Sequence, residues 1–80
     1  MTVNQAVAKR VANLLKARQI TQYRLAKNAG MLHQTLDSIM QGKNKTVTFS
    51  TVIMLARGFG ITLLEFLDDP LFYYDNIEID

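Results

Sequence analysis

Residues 25–42, "LAKNAGMLHQTLDSIMQG", decide the fold of this 80-residue chain. Two short helical patterns are separated by Gly30, which has no Cβ atom and can adopt the left-handed conformation that ends a helix. On a helical wheel of the second pattern, one continuous arc is polar and holds His33, Asp37, Gln41, Gln34 and Ser38. The opposite arc is apolar and holds Leu32, Leu36 and Ile39. The pattern predicts a helix that buries one face and exposes a polar stripe.

Length and composition limit the chain to one modest domain. Hydrophobic residues make up 49% of the sequence, and the absence of cysteine excludes disulfides and thiolate metal sites. No apolar run approaches the roughly 20 residues that a membrane helix needs, and the N-terminal sequence lacks a secretory apolar region. We therefore expect a soluble cytoplasmic protein without a membrane contact.

Charge is distributed unevenly along the chain. All 9 Lys and Arg residues lie between Lys9 and Arg57, whereas five of the 7 acidic residues follow residue 67. A basic body with an acidic tail suggests that the body binds a polyanion. An ordinary solvated basic face explains the same charge pattern, and charge alone does not separate the two interpretations.

Apolar periodicity and capping residues predict an all-α body of five helices. The helices are expected near residues 3–18, 22–28, 32–41, 49–59 and 63–67, with threonine N-caps at positions 21, 48 and 62. Thr62 and Glu65 form a T-x-x-E capping box at the start of the fifth helix, and Pro70 is expected to close that helix. Residues 1–69 thus form the domain, and residues 70–80 form a short tail.

The tail is too apolar to lie free in solvent. It carries the run "LFYY" from Leu71 to Tyr74, and Ile77 and Ile79 then alternate with polar residues as they would in a strand. We expect it to pack against another surface.

Two short helices joined by a tight glycine turn form a helix-turn-helix, which can project its second helix into the DNA major groove. The polar stripe contains groups suited to base edges there. An amide matches adenine, an imidazole matches an acceptor on guanine or thymine, and a carboxylate matches the cytosine amine. The stripe is therefore a candidate DNA-reading surface.

The run "TQYRLAKNAGMLHQTLDSIMQGKNK" resembles the helix-turn-helix of the Xre family, the Cro-like and phage-repressor-like DNA-binding domains. The likeness extends from about Ala6 to Leu67, and "LARGFGITLLEFL" resembles the last two helices of the family. It implies a compact five-helix, lambda-repressor-like fold in which helices 2 and 3 form the helix-turn-helix.

The resemblance also implies functional residues. The residues expected to contact bases are His33, Gln34, Asp37 and Ser38. The residues expected to contact phosphates are Gln22, Lys43, Asn44 and Lys45. Double-stranded DNA is the expected partner, and no cofactor is expected.

The sequence departs from the family pattern in three respects. Leu32 stands where the family usually has a Ser, Thr or Asp cap, so the third helix lacks a cap typically worth about 1 kcal/mol. Leu15 and Met40 occupy the positions of a buried Arg–Glu pair found in many members, and we predict that these two side chains touch. The stripe has no Lys or Arg, which leaves open that it is a solvated face on a protein-binding member of the family.

Two functional hypotheses remain. The first is a sequence-specific transcriptional regulator, a repressor, binding as a homodimer through Phe66, Leu71, Phe72 and Tyr74. These aromatic and apolar side chains are equally consistent with folding back over their own core. The second is an interaction module, such as the antitoxin of a toxin–antitoxin pair, whose tail binds a partner protein.

An enzyme is the least favoured hypothesis, because one histidine, no cysteine and no phosphate-binding glycine loop supply no nucleophile and base. His33 and Asp37 are spaced i, i+4 and are too few to form a metal site, so a surface pair is the better interpretation.

Overall fold

The computed structural model describes residues 1–42 and 47–78. This part of the chain forms five α-helices, and they are α1 Val3–Arg18, α2 Gln22–Ala29, α3 His33–Met40, α4 Phe49–Phe59 and α5 Leu63–Leu67. The tail adds two single-turn 3-10 helices, Pro70–Phe72 and Tyr74–Asn76. The predicted all-α, five-helix architecture is confirmed, with helix ends within two residues of those expected.

Threonine hydroxyls begin four of the five helices. Each accepts a hydrogen bond from the backbone N–H three residues ahead, and these N-caps are Thr2, Thr21, Thr48 and Thr62. The last three were predicted, whereas the capping box formed by Thr2 and Gln5 was missed although its T-x-x-Q signature is present in the sequence. Only α3, among these helices, begins without a side-chain cap.

All five helices contribute to one apolar core. Its buried side chains are Val7, Val11, Leu14, Leu25, Ala26, Leu36, Ile39, Val52, Leu55, Ala56, Phe59 and Phe66. Phe66 is the largest of the fully buried side chains. Because α2 and α3 each place two residues in this core, both helices are fixed to the body by their inner faces.

Helices α2 and α4 approach each other closely at Gly58. A Cβ atom at this position would lie 2.8 Å from Leu25 Cδ1 and 2.9 Å from Ala29 Cβ. In an isolated helix, glycine at this position would only cost stability, by up to about 1 kcal/mol relative to alanine. The structure shows that the missing side chain is what allows the two backbones to approach.

Arg10 of α1 holds the end of α5. Its Nε donates to the Phe66 carbonyl at 2.8 Å and its Nη2 donates to the Glu65 carbonyl at 2.9 Å. Nη1 donates to Asp69 Oδ2 at 3.1 Å, and the side chain is only 15% exposed. The guanidinium thus gives the Phe66 carbonyl a partner at the end of the helix and adds a second donor to the Glu65 carbonyl, which also accepts from Asp68 N–H.

The predicted capping box at the start of α5 is present. Thr62 N donates to Glu65 Oε1 and Glu65 N donates to Thr62 Oγ1, both at 3.1 Å. The hydrogen bond from the Thr62 backbone N–H, then that from the Thr62 hydroxyl and the charge of Arg18, lower the pKa of Glu65 below its ordinary value of 4.5.

The tail packs against the body of its own chain. The Phe72 ring centroid lies 6.0 Å from that of Phe66, and Glu78 N donates to the Met1 carbonyl at 2.8 Å. The strand-like alternation gives only an isolated bridge between Thr2 and Glu78, and Ile79 lies outside the described residues. Pro70 does not close α5, which ends three residues earlier at Leu67; it opens the first 3-10 turn, where its fixed φ is favourable.

Leu15 and Met40 both pack against the core as partly buried residues. Met40 also lines a shallow groove together with Ala8 and Ala12 of α1. Both positions of the missing ion pair are therefore occupied by apolar side chains that contact the core. The direct contact between Leu15 and Met40 stays a prediction.

Candidate nucleic-acid interface

The turn between α2 and α3 has the predicted tight geometry. Gly30 adopts φ +71°. Its N–H donates to the Lys27 carbonyl at 3.3 Å, and the N–H of Met31 donates to the Ala26 carbonyl at 3.0 Å, so both residues bond back to the last turn of α2. Helix α3 then begins at His33, and three residues separate it from the end of α2 at Ala29. The two helices form a helix-turn-helix.

The outer face of α3 carries the predicted base-contacting residues. His33 and Gln34 are exposed, while Asp37 and Ser38 are partly exposed. Leu36 and Ile39 lie on the opposite side in the core. The helix is therefore anchored by one face and presents polar side chains on the other.

His33 and Asp37 form the expected surface pair on this face. His33 Nδ1 lies 3.4 Å from Asp37 Oδ2, which makes an ion pair when the imidazole is protonated. Both side chains are nearly half exposed, so a pair of this kind contributes only about 0.3–0.5 kcal/mol. Its greater consequence is orientation, because Nδ1 faces Asp37 and Nε2 remains for an external partner.

Tyr23 is a residue of this surface that the sequence analysis missed. It lies in the first turn of α2, is 68% exposed, and its ring centroid lies 6.3 Å from that of His33. A tyrosine immediately after Thr21-Gln22 was visible in the sequence. Its proximity to His33 depends on how α3 crosses α2, which the helical wheel of one helix does not give.

The placement of Leu32 on the apolar face of α3 was wrong. Leu32 is 73% exposed, whereas Leu36 and Ile39 are buried. The physical reason is that Leu32 is the N-cap residue with extended backbone angles of φ −67° and ψ 143°. The 100° step of the helical wheel begins only at His33.

The predicted phosphate contacts fall into two groups. Gln22 is the first residue of α2, partly exposed, at the helix end that carries the positive pole of the dipole. Lys43, Asn44 and Lys45 lie outside the described residues.

The four residues expected at a dimer interface differ in exposure. Phe66 is completely buried in the core of its own chain and offers no surface to a second subunit. Leu71 and Phe72 are partly buried, and Tyr74 is 83% exposed. Phe66 and Phe72 therefore pack on the core of their own chain, as the alternative interpretation predicts, whereas the exposed Tyr74 is accessible to a second subunit.

Residues 1–42 and 47–78 contain no group of three or more His, Cys, Asp or Glu side chains placed to hold a metal ion. Within the same ranges, every helix is too short or too polar to cross a membrane.

The fold and this surface define a helix-turn-helix DNA-binding domain. The chain belongs to the family of Cro/C1-type HTH DNA-binding domains, whose model matches residues 10–70, and the resemblance predicted from the sequence is thereby confirmed. The fold is similar to that in the crystal structure of the prophage Lp1 protein 11, with a TM-score of 0.80 and 25% sequence identity. That similarity covers 91% of this chain and 96% of the prophage protein. A search of curated proteins found no match.

Proposed function

We propose that the protein is a sequence-specific transcriptional regulator, a repressor, that inserts α3 into the major groove of double-stranded DNA. The observation that carries this proposal is the exposed polar face of α3 on a helix whose inner face is fixed in the core. A recognition helix has this arrangement because its inner face must hold it rigid while its outer side chains reach base edges. As a DNA-bound regulator, it would act in the cytoplasm of a bacterial cell.

Each residue of the polar face has a base edge that suits its chemistry. The Gln34 amide can donate to N7 and accept from N6 of adenine. Protonated His33 can donate from Nε2 to guanine or thymine, because its Nδ1 faces Asp37. Asp37 can accept from a cytosine amine, and the Ser38 hydroxyl can either donate or accept.

Phosphate contacts would position this face without specifying sequence. We assign them to Gln22 at the start of α2 and to Lys43, Asn44 and Lys45 after α3. The charge distribution supports this assignment, because every Lys and Arg lies within residues 9–57. Lysine contacts with phosphate release counterions, so binding by these residues should weaken steeply with added salt.

Selection from a randomised double-stranded DNA pool tests the proposal, carried out at two salt concentrations. The wild type should enrich a defined site. A double variant, His33→Ala with Gln34→Ala, should retain weak, salt-sensitive binding and select no site. Asn13→Ala is the matched control, because it removes an exposed amide from α1 beside Pro70 and should leave selection unchanged. Failure of the wild type to enrich any site at low salt would contradict the proposal.

We also propose that the regulator binds as a two-fold dimer, with Leu71, Phe72 and Tyr74 contributing to the interface. The exposed Tyr74 ring supports this, since a tyrosine supplies much contact area at low entropic cost. Two α3 helices would then contact half-sites roughly 34 Å apart. With the domain ending at residue 69, as we propose, this interface would lie in the tail, residues 70–80.

Removal of the tail is a poor test of dimerisation, because Phe72 packs against Phe66 of the core. Tyr74→Ser is the sharper variant, and Tyr23→Ser is its matched control, since Tyr23 is an exposed tyrosine on α2. Sedimentation equilibrium should show a dimer for the wild type and for Tyr23→Ser, and a weakened dimer for Tyr74→Ser. A wild type that stays monomeric when bound to its selected site would contradict the dimer.

A further inference from the structure

Leu32 is an exposed apolar side chain at the start of the helix proposed to contact bases. It occupies the N-cap of α3 and is 73% exposed. A leucine there leaves the helix without a side-chain cap and leaves apolar surface in water, so it is unfavourable on both counts for the free protein. Neither packing nor capping within the described fold accounts for a leucine at this position.

Leu32 stands at the start of α3, directly before the polar face in the chain. His33 follows it directly, and the Tyr23 ring lies 6.3 Å from the His33 ring. Leu32 is therefore an exposed residue that is adjacent in the chain to the surface formed by the first turns of α2 and α3. The first residues of a recognition helix are those that approach base edges in a helix-turn-helix complex.

The C5-methyl group of thymine is the largest apolar group on the base edges of the major groove, where cytosine carries only a C5–H. Hydrogen-bonding groups on the other edges would lose water against leucine without gaining a partner. We propose that Leu32 is a specificity-determining residue that contacts the C5-methyl group of a thymine. The inference rests on the proposed function, because it requires α3 to lie in the major groove.

The same methyl group occurs on 5-methylcytosine, so the test must separate the two bases. Once a site has been selected, four versions of each pyrimidine position are compared, carrying thymine, uracil, cytosine or 5-methylcytosine. The thymine-to-uracil change removes the methyl group and leaves the hydrogen-bonding edge intact. Burial of one methyl group corresponds to about a fourfold change in affinity.

Wild-type protein should bind the thymine duplex about fourfold more tightly than the uracil duplex at one position of each half-site. Leu32→Ser should abolish this preference while still binding DNA, because serine removes the apolar contact and supplies the missing cap. Leu64→Ser is the matched control, since Leu64 is an exposed leucine on α5, and it should retain the preference.

Three results would overturn the assignment. The first is equal affinity for thymine and uracil at every position, and the second is a thymine preference that persists in Leu32→Ser. The third is a methyl effect confined to the comparison of 5-methylcytosine with cytosine. If no site is selected at all, the proposed function fails together with this inference, whereas a selected site without a Leu32-dependent methyl effect refutes the inference alone.

Discussion

Substitution Gly58→Ala tests the close packing that holds α2 in place. Gly58 is a buried residue of α4 with an ordinary helical backbone, so alanine is not strained at this position by its own conformation. The added Cβ atom would lie 2.8 Å from Leu25 Cδ1, 2.9 Å from Ala29 Cβ and 3.3 Å from Ala29 Cα. Leu25 can rotate its methyl group away, but the Ala29 atoms move only if the α2 backbone moves.

Two opposing effects decide whether Gly58→Ala raises or lowers the free energy of unfolding. Alanine in place of glycine favours a helix by about 1 kcal/mol. Inserting a methyl group into a filled interface costs about 1–3 kcal/mol, and a contact with backbone-fixed atoms lies toward the upper end of that range. We therefore expect Gly58→Ala to lower the free energy of unfolding by about 1–2 kcal/mol, which lowers Tm by about 5–10 °C in a domain of this size.

Urea unfolding followed by circular dichroism measures this effect. A second background, Ala29→Gly, isolates its cause, because it removes the Cβ atom that the new methyl group meets. In that background, Gly58→Ala should be neutral or stabilising, so that the two substitutions are strongly non-additive. Stabilisation by Gly58→Ala in the otherwise wild-type chain would refute the close approach of α2 and α4.

Three further outcomes follow from single contacts. Leu32→Ser should raise the free energy of unfolding by about 1 kcal/mol in thermal or urea unfolding, because it supplies the absent cap of α3, and a decrease would contradict this. Arg10→Met should lower the free energy of unfolding by about 2 kcal/mol or more. Arg10→Lys should not restore this stability, because one ammonium group cannot make the three hydrogen bonds of the planar guanidinium. A lysine variant as stable as the wild type would contradict this explanation. The lowered pKa of Glu65 means that its carboxylate stabilises the fold above pH 4.5 and that this stabilisation is lost as the pH falls through the folded-state pKa. Stability measured across that acidic range should therefore depend less on pH in Glu65→Gln than in the wild type, and equal slopes would refute it.

The sequence predicted those features of the fold that depend on local chemistry. Threonine caps at positions 21, 48 and 62 and the left-handed Gly30 fix helix ends through hydrogen bonds between near neighbours. Apolar periodicity located the buried residues Leu36 and Ile39 of α3. These signals are strong because each arises within one or two helical turns.

Features that depend on contacts between distant segments were not predicted. The role of Gly58 depends on Ala29 of another helix, and that of Arg10 depends on carbonyls more than fifty residues away. The exposure of Leu32 was missed because helical periodicity was extended one residue beyond the start of α3. For the candidate site, the sequence identified the polar face of α3 and missed Tyr23, which only the crossing of two helices brings beside His33.

Insertion of α3 into the major groove is the central claim, and base analogues test it most directly. Replacing purines of the selected site by 7-deazapurines removes N7, an acceptor that lies only in the major groove. We predict that wild-type binding weakens about fivefold or more at one or more positions, and that the His33→Ala, Gln34→Ala double variant is insensitive to the same replacements. Unchanged wild-type affinity for every 7-deaza duplex would contradict the account.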